Sequence, residues 1–268
     1  MTHTLAIPPL VSDLDQVLDA VREHGAVRVA GAGASADEAR ALMADIMGSS
    51  VQALPEPARV FEGGEFDVWQ EGSTHADPLH VHTDGFSYGD LYPDYILLSC
   101  VHACQKGGQN YLVDGYAVLD ELAKSAESAW VAQRLREVAV DQTEPGKQPS
   151  ISPVVQTTPA GRLMVRRMFD EHGNGPVPAS QGDERATDQA MLDVWSNTIN
   201  AAQQSAPRFQ LDAGQALLID NYRMFHGREG YSDPQRMMWR VWVWTQAALG
   251  VPGIELHSDS RFTDASAG

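Results

Sequence analysis

The 268-residue chain contains only two cysteines, Cys100 and Cys104. Small secreted domains that depend on disulfides carry several cysteine pairs, so a secreted disulfide framework is excluded for a chain of this length. Hydrophobic residues make up 43% of the chain, and a chain of this size can bury about three quarters of the surface that it exposes when unfolded. Neither a disulfide nor a metal is needed to complete such a core, and we therefore predict that any bound metal is functional.

Basic residues are scarce as well. Nineteen Lys and Arg stand against 36 Asp and Glu, which gives a formal net charge of −17. Nucleic acid and anionic membrane surfaces both require a positive face on the protein. The charge therefore excludes both as partners and favours a small-molecule substrate. The composition does not indicate the oligomeric state.

Long hydrophobic runs are also missing. No stretch approaches the roughly 20 apolar residues of a membrane-spanning helix, and residues 1–7 lack the basic region and apolar core of a secretory signal. Together with the few cysteines, this pattern predicts a cytoplasmic protein. No internal repeat and no long linker divides the chain, so we predict one domain over residues 1–268.

Hydrophobic periodicity indicates a mainly β fold with flanking helices. Ser35 and Glu38 have the pattern of a capping box, and Gly48 is a natural end for the helix that they begin. Residues 141–159 are rich in turn formers and resist assignment. Helices are predicted over residues 12–23, 36–47, 114–138 and 187–204, and strands over residues 26–30, 95–104, 111–113, 208–211, 216–219 and 237–244.

Two histidines and one aspartate have the composition of a metal site. His82 and Asp84 are two residues apart, so on an extended backbone their side chains point to the same face. His226 must come from a distant strand. Two imidazoles and one carboxylate form the facial triad that holds non-heme Fe(II) and leaves positions open for oxygen and an oxidisable partner. We predict that His82, Asp84 and His226 are the metal ligands and the catalytic centre, although affinity alone does not exclude Co, Ni or Zn.

The remaining histidines and cysteines do not complete a second site. His75, His80 and His102 lack partners at ligand spacing, which predicts solvated or hydrogen-bonded roles. Cys100, His102 and Cys104 alternate along a β-prone run without the second Cys/His pair of a zinc site. Buried core thiols are the favoured interpretation.

Several further blocks lie around the proposed ligands. Together with the triad they span most of residues 66–244, and in order and spacing the chain resembles the Fe(II)/2-oxoglutarate-dependent dioxygenases of the taurine dioxygenase and γ-butyrobetaine hydroxylase superfamily. This resemblance implies a double-stranded β-helix, or jelly roll, with its core at about residues 60–246, and the use of Fe(II), 2-oxoglutarate as cosubstrate and O2. The matching blocks are Leu97-Leu98-Ser99-Cys100, Gly107-Gly108-Gln109-Asn110, Val113-Asp114-Gly115-Tyr116, the segment from Asp220 through Arg228, and Arg236-Met237-Met238-Trp239-Arg240.

The same resemblance implies roles for further residues. Arg236 occupies the place of the arginine that pairs with the far carboxylate of 2-oxoglutarate, for which the planar guanidinium is well suited because it makes two parallel charge-assisted bonds. Asn110 matches the small polar residue that hydrogen-bonds the same carboxylate. Arg240 is placed to meet either the cosubstrate or an anionic group of the substrate, and Phe66 and Trp242 fall where aromatic substrate-binding residues lie in the family.

The chain also departs from γ-butyrobetaine hydroxylases. Residues 70–79 lack the aromatic stretch that encloses a trimethylammonium group there, and cation–π recognition needs several ring faces. A quaternary ammonium substrate is therefore disfavoured, and Phe66 and Trp242 fit the core equally well. His82 also comes too early to leave room for the additional N-terminal domain of that subgroup, so we expect the catalytic domain alone.

The resemblance implies hydroxylation of an unactivated C–H bond in a small amino-acid-like or carboxylate metabolite, with conversion of 2-oxoglutarate to succinate and carbon dioxide. Because related halogenases replace the carboxylate ligand by Gly or Ala, Asp84 favours hydroxylation, or desaturation or cyclisation at the same site. Two alternatives stay open. A cupin-like metal oxygenase or isomerase would turn over without forming succinate, and a catalytically inactive jelly-roll binding protein would have no need to keep all three ligands and Arg236.

Overall fold

In the computed structural model, which describes residues 6–61, 78–169, 175–233 and 235–259, sheets lie at the centre and helices cover them. None of the helices in these ranges is both long and apolar enough to cross a membrane. The helices are α1 (Val17–His24), α2 (Ala36–Met47), α3 (Gly115–Lys124), α4 (Ala129–Glu137) and α5 (Gly182–Ser205). The strands are β1 (Leu10–Val11), β2 (Ala26–Ala30), β3 (Val51–Ala53), β4 (Ala58–Phe61), β5 (Leu79–His82), β6 (Tyr95–His102), β7 (Asn110–Asp114), β8 (Ala139–Asp141), β9 (Ile151–Pro153), β10 (Val155–Thr157), β11 (Leu163–Val165), β12 (Val177–Pro178), β13 (Gln215–Asp220), β14 (Met224–Arg228) and β15 (Met237–Thr245).

The largest sheet has seven strands in the order β1-β2-β13-β6-β15-β3, with β4 also paired to β15. Only β1 and β2 run parallel among these pairs. Alternate residues of a strand face opposite sides, and on one side Val29, Leu218 and Val241 pack against Val21 of α1 and Met43 of α2. The two N-terminal helices therefore cover the outer face of this sheet.

A second sheet has the order β5-β14-β7. Its outer face carries Val81, Val113 and Phe225, which pack against helical residues that include Leu135 and Trp195. Helices α3, α4 and α5 thus cover this sheet in the way that α1 and α2 cover the first.

The inner faces of the two sheets share a hydrophobic cluster. Ile96 and Trp242 enter it from the large sheet, and Leu112 and Met224 enter it from the small one. Since Met224 and His226 alternate with the outward-facing Phe225, His226 points into the space between the sheets. The position of the predicted metal site follows from this alternation.

The N-terminal predictions are confirmed in detail. Helix α2 spans residues 36–47, and its capping box is complete: the Glu38 backbone N–H donates to Ser35 Oγ at 3.2 Å, and the Ser35 backbone N–H donates to Glu38 Oε2 at 2.9 Å. Gly48 ends the helix with a positive φ of 52°. Strand β2 covers residues 26–30 as predicted.

Three predictions of secondary structure are wrong. The helix expected over residues 114–138 is two helices, because Ser125 takes an extended conformation at the end of α3. Residues 208–211 form a single bridge, between Phe209 and Asn110, instead of a strand. The segment around His226, which lies outside the predicted strand ranges, is the central strand β14 of the small sheet.

Candidate metal centre

The structure brings His82, Asp84 and His226 together. His82 ends β5 and pairs directly with His226 of β14 in the register of the small sheet. The Nε2 atoms of His82 and His226 lie 3.3 and 3.6 Å from Asp84 Oδ1, and the three ligand atoms are all within 4.8 Å of one another. Adjacent ligands of an octahedral ion with bonds of about 2.1 Å are about 3.0 Å apart. The three groups therefore fit one metal ion of this size.

The second carboxylate oxygen of Asp84 is held by the large sheet. Trp242 Nε1 donates to Oδ2 at 2.9 Å, and Arg240 Nη1 donates to it at 3.2 Å. With Oδ2 engaged in this way, Oδ1 is the oxygen that faces both histidines. The two donors come from β15, so the sheet opposite the histidines fixes how the carboxylate is presented.

The backbone around Asp84 is equally constrained. The buried Asn221 clamps it, since its Oδ1 accepts from Asp84 N at 2.9 Å and its Nδ2 donates to Asp84 O at 3.0 Å. Gly85 follows with φ of 94°, and a Cβ at that position would lie 2.2 Å from Pro93 Cδ. Asn221 lies inside the matching segment from Asp220 through Arg228, and its place just before β14 is the sequence signal that could have identified it.

Both histidines present their Nε2 atoms to the site. His82 Nδ1 lies 2.9 Å from the carbonyl oxygen of His80, a contact that places a proton on Nδ1 and the lone pair on Nε2. Burial and, to a smaller extent, the neighbouring His82 lower the pKa of His226 to about 3, and Asp84 opposes the shift. An imidazole must be neutral to bind a metal, so His226 is in the binding form at neutral pH.

The surroundings of Asp84 keep its carboxyl group in the anionic form. Burial alone would raise the pKa of its carboxyl group, but the positive charge of Arg240 and the hydrogen bond with His82 together hold it well below its usual range. The site thus combines two imidazole nitrogens and one negative oxygen, which is the donor set that Fe(II) accepts in facial triads.

Arg236 immediately precedes β15, and Asn110 is the first residue of β7. Both are buried, at 4% and 5% exposure. A Cβ on Gly108 would lie 3.3 Å from Arg236 Nε, so the arginine packs on the turn that leads into Asn110. Asn110 Nδ2 makes no hydrogen bond to the described residues although it is buried. This orphaned donor fits an acceptor such as a carboxylate oxygen.

A second arginine that the sequence reasoning did not assign lies nearby. Arg228 pairs with Asn110 in the register of β14 and β7. The guanidinium carbons of Arg228 and Arg236 lie 4.7 and 4.8 Å from the ring centroid of Tyr231. The position of Arg228, two residues after His226 and on the same face of a strand, is the signal that could have identified this arginine.

The other residues named in the sequence analysis lie in different surroundings. The guanidinium group of Arg240 donates to the Asp84 carboxylate and, through Nε at 2.9 Å, to the Ser258 carbonyl oxygen. Trp242 is only 1% exposed. Phe66 lies outside the described residues, as does His75. Cys100 and Cys104 are buried free thiols, as predicted.

A prediction concerns the indole N–H of Trp242. Trp242→Phe keeps an aromatic ring in the core but removes the donor to Asp84 Oδ2, and loss of such outer contacts typically weakens metal binding by about 10- to 100-fold. We expect the Fe(II) dissociation constant, measured by anaerobic equilibrium dialysis, to rise about tenfold. Trp239→Phe is the matched control, because Trp239 lies on the same strand and donates to Ala34 O instead. Equal Fe(II) binding by both variants would contradict this role.

The fold places a cluster of two histidines and one aspartate, with the spacing to hold one metal ion, between two facing sheets. The comparison with protein families agrees: residues 5–242 match the family described as "Taurine catabolism dioxygenase TauD, TfdA family". The chain belongs to this family, which confirms the resemblance seen in its motifs.

Two curated relatives have sequences similar to this chain. A uridine-5'-phosphate dioxygenase from a Streptomyces species is 29% identical over 188 residues, which cover 66% of this chain and 60% of that protein. Human gamma-butyrobetaine dioxygenase is 27% identical over 161 residues, which cover 57% of this chain and 40% of that protein. The matches therefore span less than two thirds of either relative.

Solved structures show the same fold at low sequence identity. AAD-2, in complex with Mn(II) and N-oxalylglycine, superposes with a TM-score of 0.67 at 16% identity and covers 91% of this chain and 98% of its own. Asparagine oxygenase superposes with a TM-score of 0.62 at 17% identity and covers 87% of this chain and 78% of its own.

Proposed function

We propose that this chain is an Fe(II)- and 2-oxoglutarate-dependent oxygenase that hydroxylates an unactivated C–H bond of a small amino-acid-like or carboxylate metabolite. The observation that carries the proposal is the convergence of His82, Asp84 and His226 on one point, with ligand atoms within 4.8 Å of one another. Membership of the TauD, TfdA family supports it.

The donor set fits iron, and the neighbouring pocket fits the cosubstrate. His82 Nε2, His226 Nε2 and Asp84 Oδ1 would hold the metal, and Arg236 with Asn110 Nδ2 would bind the far carboxylate of 2-oxoglutarate. Bound there, iron and 2-oxoglutarate would supply an O2-dependent oxidation that forms succinate and carbon dioxide. The chain itself contributes orientation, because Trp242 and Arg240 fix the carboxylate and the sheets exclude water from the ligands.

The wider architecture supports the same proposal. Two facing sheets with an inner cluster drawn from both are consistent with a double-stranded β-helix, and we propose that residues 1–268 form one catalytic domain of that type. A cytoplasmic location remains a prediction from the sequence.

The other chemistries at this site remain alternatives. Desaturation or cyclisation would use the same ligands, and the product alone distinguishes them from hydroxylation. An inactive binding protein is disfavoured because the complete triad is kept in a buried, charge-balanced arrangement. A metal enzyme that needs no 2-oxoglutarate would leave the orphaned donor of Asn110 unexplained.

The proposal is tested by metal removal. We expect purified protein with 2-oxoglutarate and O2 to release succinate slowly without substrate, to lose this activity after treatment with a chelator, and to regain it with Fe(II) but not with Zn(II). Succinate is quantified by liquid chromatography and mass spectrometry. Release that is unaffected by chelation and by removal of O2 would refute the proposed activity.

A further inference from the structure

Strand pairing positions His82 but does not reach Asp84. Strand β5 ends at His82, whose partner in the register of the small sheet is His226 of β14. Asp84 lies two residues beyond that end, and the chain turns directly after it because Gly85 adopts a positive φ of 94°. Pairing within the sheet therefore cannot by itself fix the distance between the carboxylate and the two histidines, and contacts from outside the sheet must do so.

The side chain of Asn221 bonds both backbone polar groups of Asp84. Its Oδ1 accepts from Asp84 N at 2.9 Å, and its Nδ2 donates to Asp84 O at 3.0 Å and to Pro93 O at 2.8 Å. Asn221 has no exposed surface, so bulk water does not compete for these bonds. One amide thus joins the two ends of the segment 84–93 that follows the ligand.

Asn221 is itself held in place relative to His226. It lies in the turn that leads into β14, where Asp220 Oδ1 accepts from the backbone N–H groups of the two residues after Asn221, at 3.0 and 3.1 Å. The backbone N–H of Asn221 donates to Asp94 O at 3.0 Å. The amide therefore links the segment that carries Asp84 to the strand that carries His226.

An ion-pair network anchors both sides of this link. Arg162 Nη1 donates to Asp94 Oδ2 at 2.7 Å, and its Nη2 donates to Asp220 Oδ1 at 2.6 Å. Asp94 directly follows Pro93, and Asp220 directly precedes Asn221. Both carboxylates are buried, where charge-assisted bonds are strong. The Asn221 amide is therefore fixed before it bonds to Asp84.

We propose that Asn221 is a positioning residue for iron, which sets the place of Asp84 Oδ1 relative to His226 Nε2 and thereby the affinity for Fe(II). This inference rests on the proposed function, since it assumes that the triad binds Fe(II). The donors of Trp242 and Arg240 hold Oδ2 of the carboxylate, but they do not fix the backbone from which the side chain extends. Contacts behind a ligand typically change metal affinity by about 10- to 100-fold.

The test compares two substitutions in the full chain. Asn221→Ala removes all three bonds, and Asn221→Asp loses both donated bonds and places a negative oxygen against two carbonyl oxygens. We expect each to raise the Fe(II) dissociation constant, measured by anaerobic equilibrium dialysis, by about tenfold or more. At saturating Fe(II), the 2-oxoglutarate concentration for half-maximal succinate release should stay within about twofold of the wild-type value, because Arg236 and Asn110 are unchanged.

The matched control for lost stability is Asp188→Ala. Asp188 is fully buried in α5 and bonds Arg134 of α4 and Ser180, among the helices that cover the small sheet. Its loss should lower the unfolding temperature, measured by circular dichroism, at least as much as the loss of Asn221. Fe(II) affinity should remain at the wild-type value, because Asp188 bonds to neither the triad nor Asn221.

A folded Asn221→Ala or Asn221→Asp variant with wild-type Fe(II) affinity would overturn the inference. An equal loss of affinity in Asp188→Ala would also overturn it, because the effect would then follow from stability alone. Failure of both Asn221 variants to fold would overturn it as well, since the residue would then serve the fold and not the metal. A wild-type protein that binds no Fe(II) would instead count against the proposed function, so the two failures are distinguishable.

Discussion

Asp84→Ala is expected to abolish iron-dependent succinate formation. The substitution removes the negative oxygen that lies 3.3 and 3.6 Å from the two histidine nitrogens. It also leaves the buried donors of Trp242 and Arg240 facing a void. Because loss of contacts behind a ligand already weakens metal binding by about 10- to 100-fold, loss of the ligand itself should exceed about a hundredfold.

The measurement combines Fe(II) binding by anaerobic dialysis with succinate release. His82→Ala should behave like Asp84→Ala, whereas Asp120→Ala, which removes an exposed carboxylate on α3, should retain wild-type values. Circular dichroism confirms that each variant is folded. Full activity in either ligand variant would remove the triad assignment.

Arg236→Ala should raise the 2-oxoglutarate concentration for half-maximal succinate release by about a hundredfold, with Fe(II) binding nearly unchanged. The guanidinium would make two charge-assisted bonds to the far carboxylate, each worth about 1.5–3 kcal/mol. Loss of about 3 kcal/mol, the lower bound for the two bonds together, corresponds to a change in affinity of about a hundredfold or slightly more. Asn110→Ala should give a smaller rise, of about tenfold, because it removes one neutral donor.

The control for this series is Arg136→Ala, which removes an exposed arginine from α4. It should leave the cosubstrate requirement unaltered. If Arg236→Ala also leaves the 2-oxoglutarate requirement unaltered, another arginine binds the far carboxylate. Arg240 and Arg228 are then the next to be tested.

The grouping of His82 with Asp84 could be predicted because its signal is local. His82 and Asp84 are two residues apart on an extended segment, and side-chain alternation places them on one face wherever that segment lies. The capping box of α2 is local in the same sense, because Ser35 and Glu38, three residues apart, hydrogen-bond to each other.

The surroundings of the triad could not be predicted, because they depend on pairing between distant strands. Trp242 contacts Asp84 only because β15, a strand of the large sheet, faces the small sheet that carries the histidines, and the Asn221 clamp joins residues 137 positions apart. The same reason accounts for β14: a short segment around His226 becomes a strand through its pairing with β5 and β7, which no local pattern reveals.

The central claim, that one ion bound by His82, Asp84 and His226 also accepts 2-oxoglutarate, is tested most directly by visible spectroscopy without oxygen. Addition of Fe(II) and 2-oxoglutarate to the wild-type protein should produce the weak charge-transfer band of a bidentate chelate, and the band should be missing in His82→Ala. A wild-type protein that binds Fe(II) yet shows no such band, or a His82→Ala variant with an unchanged band, would contradict the account.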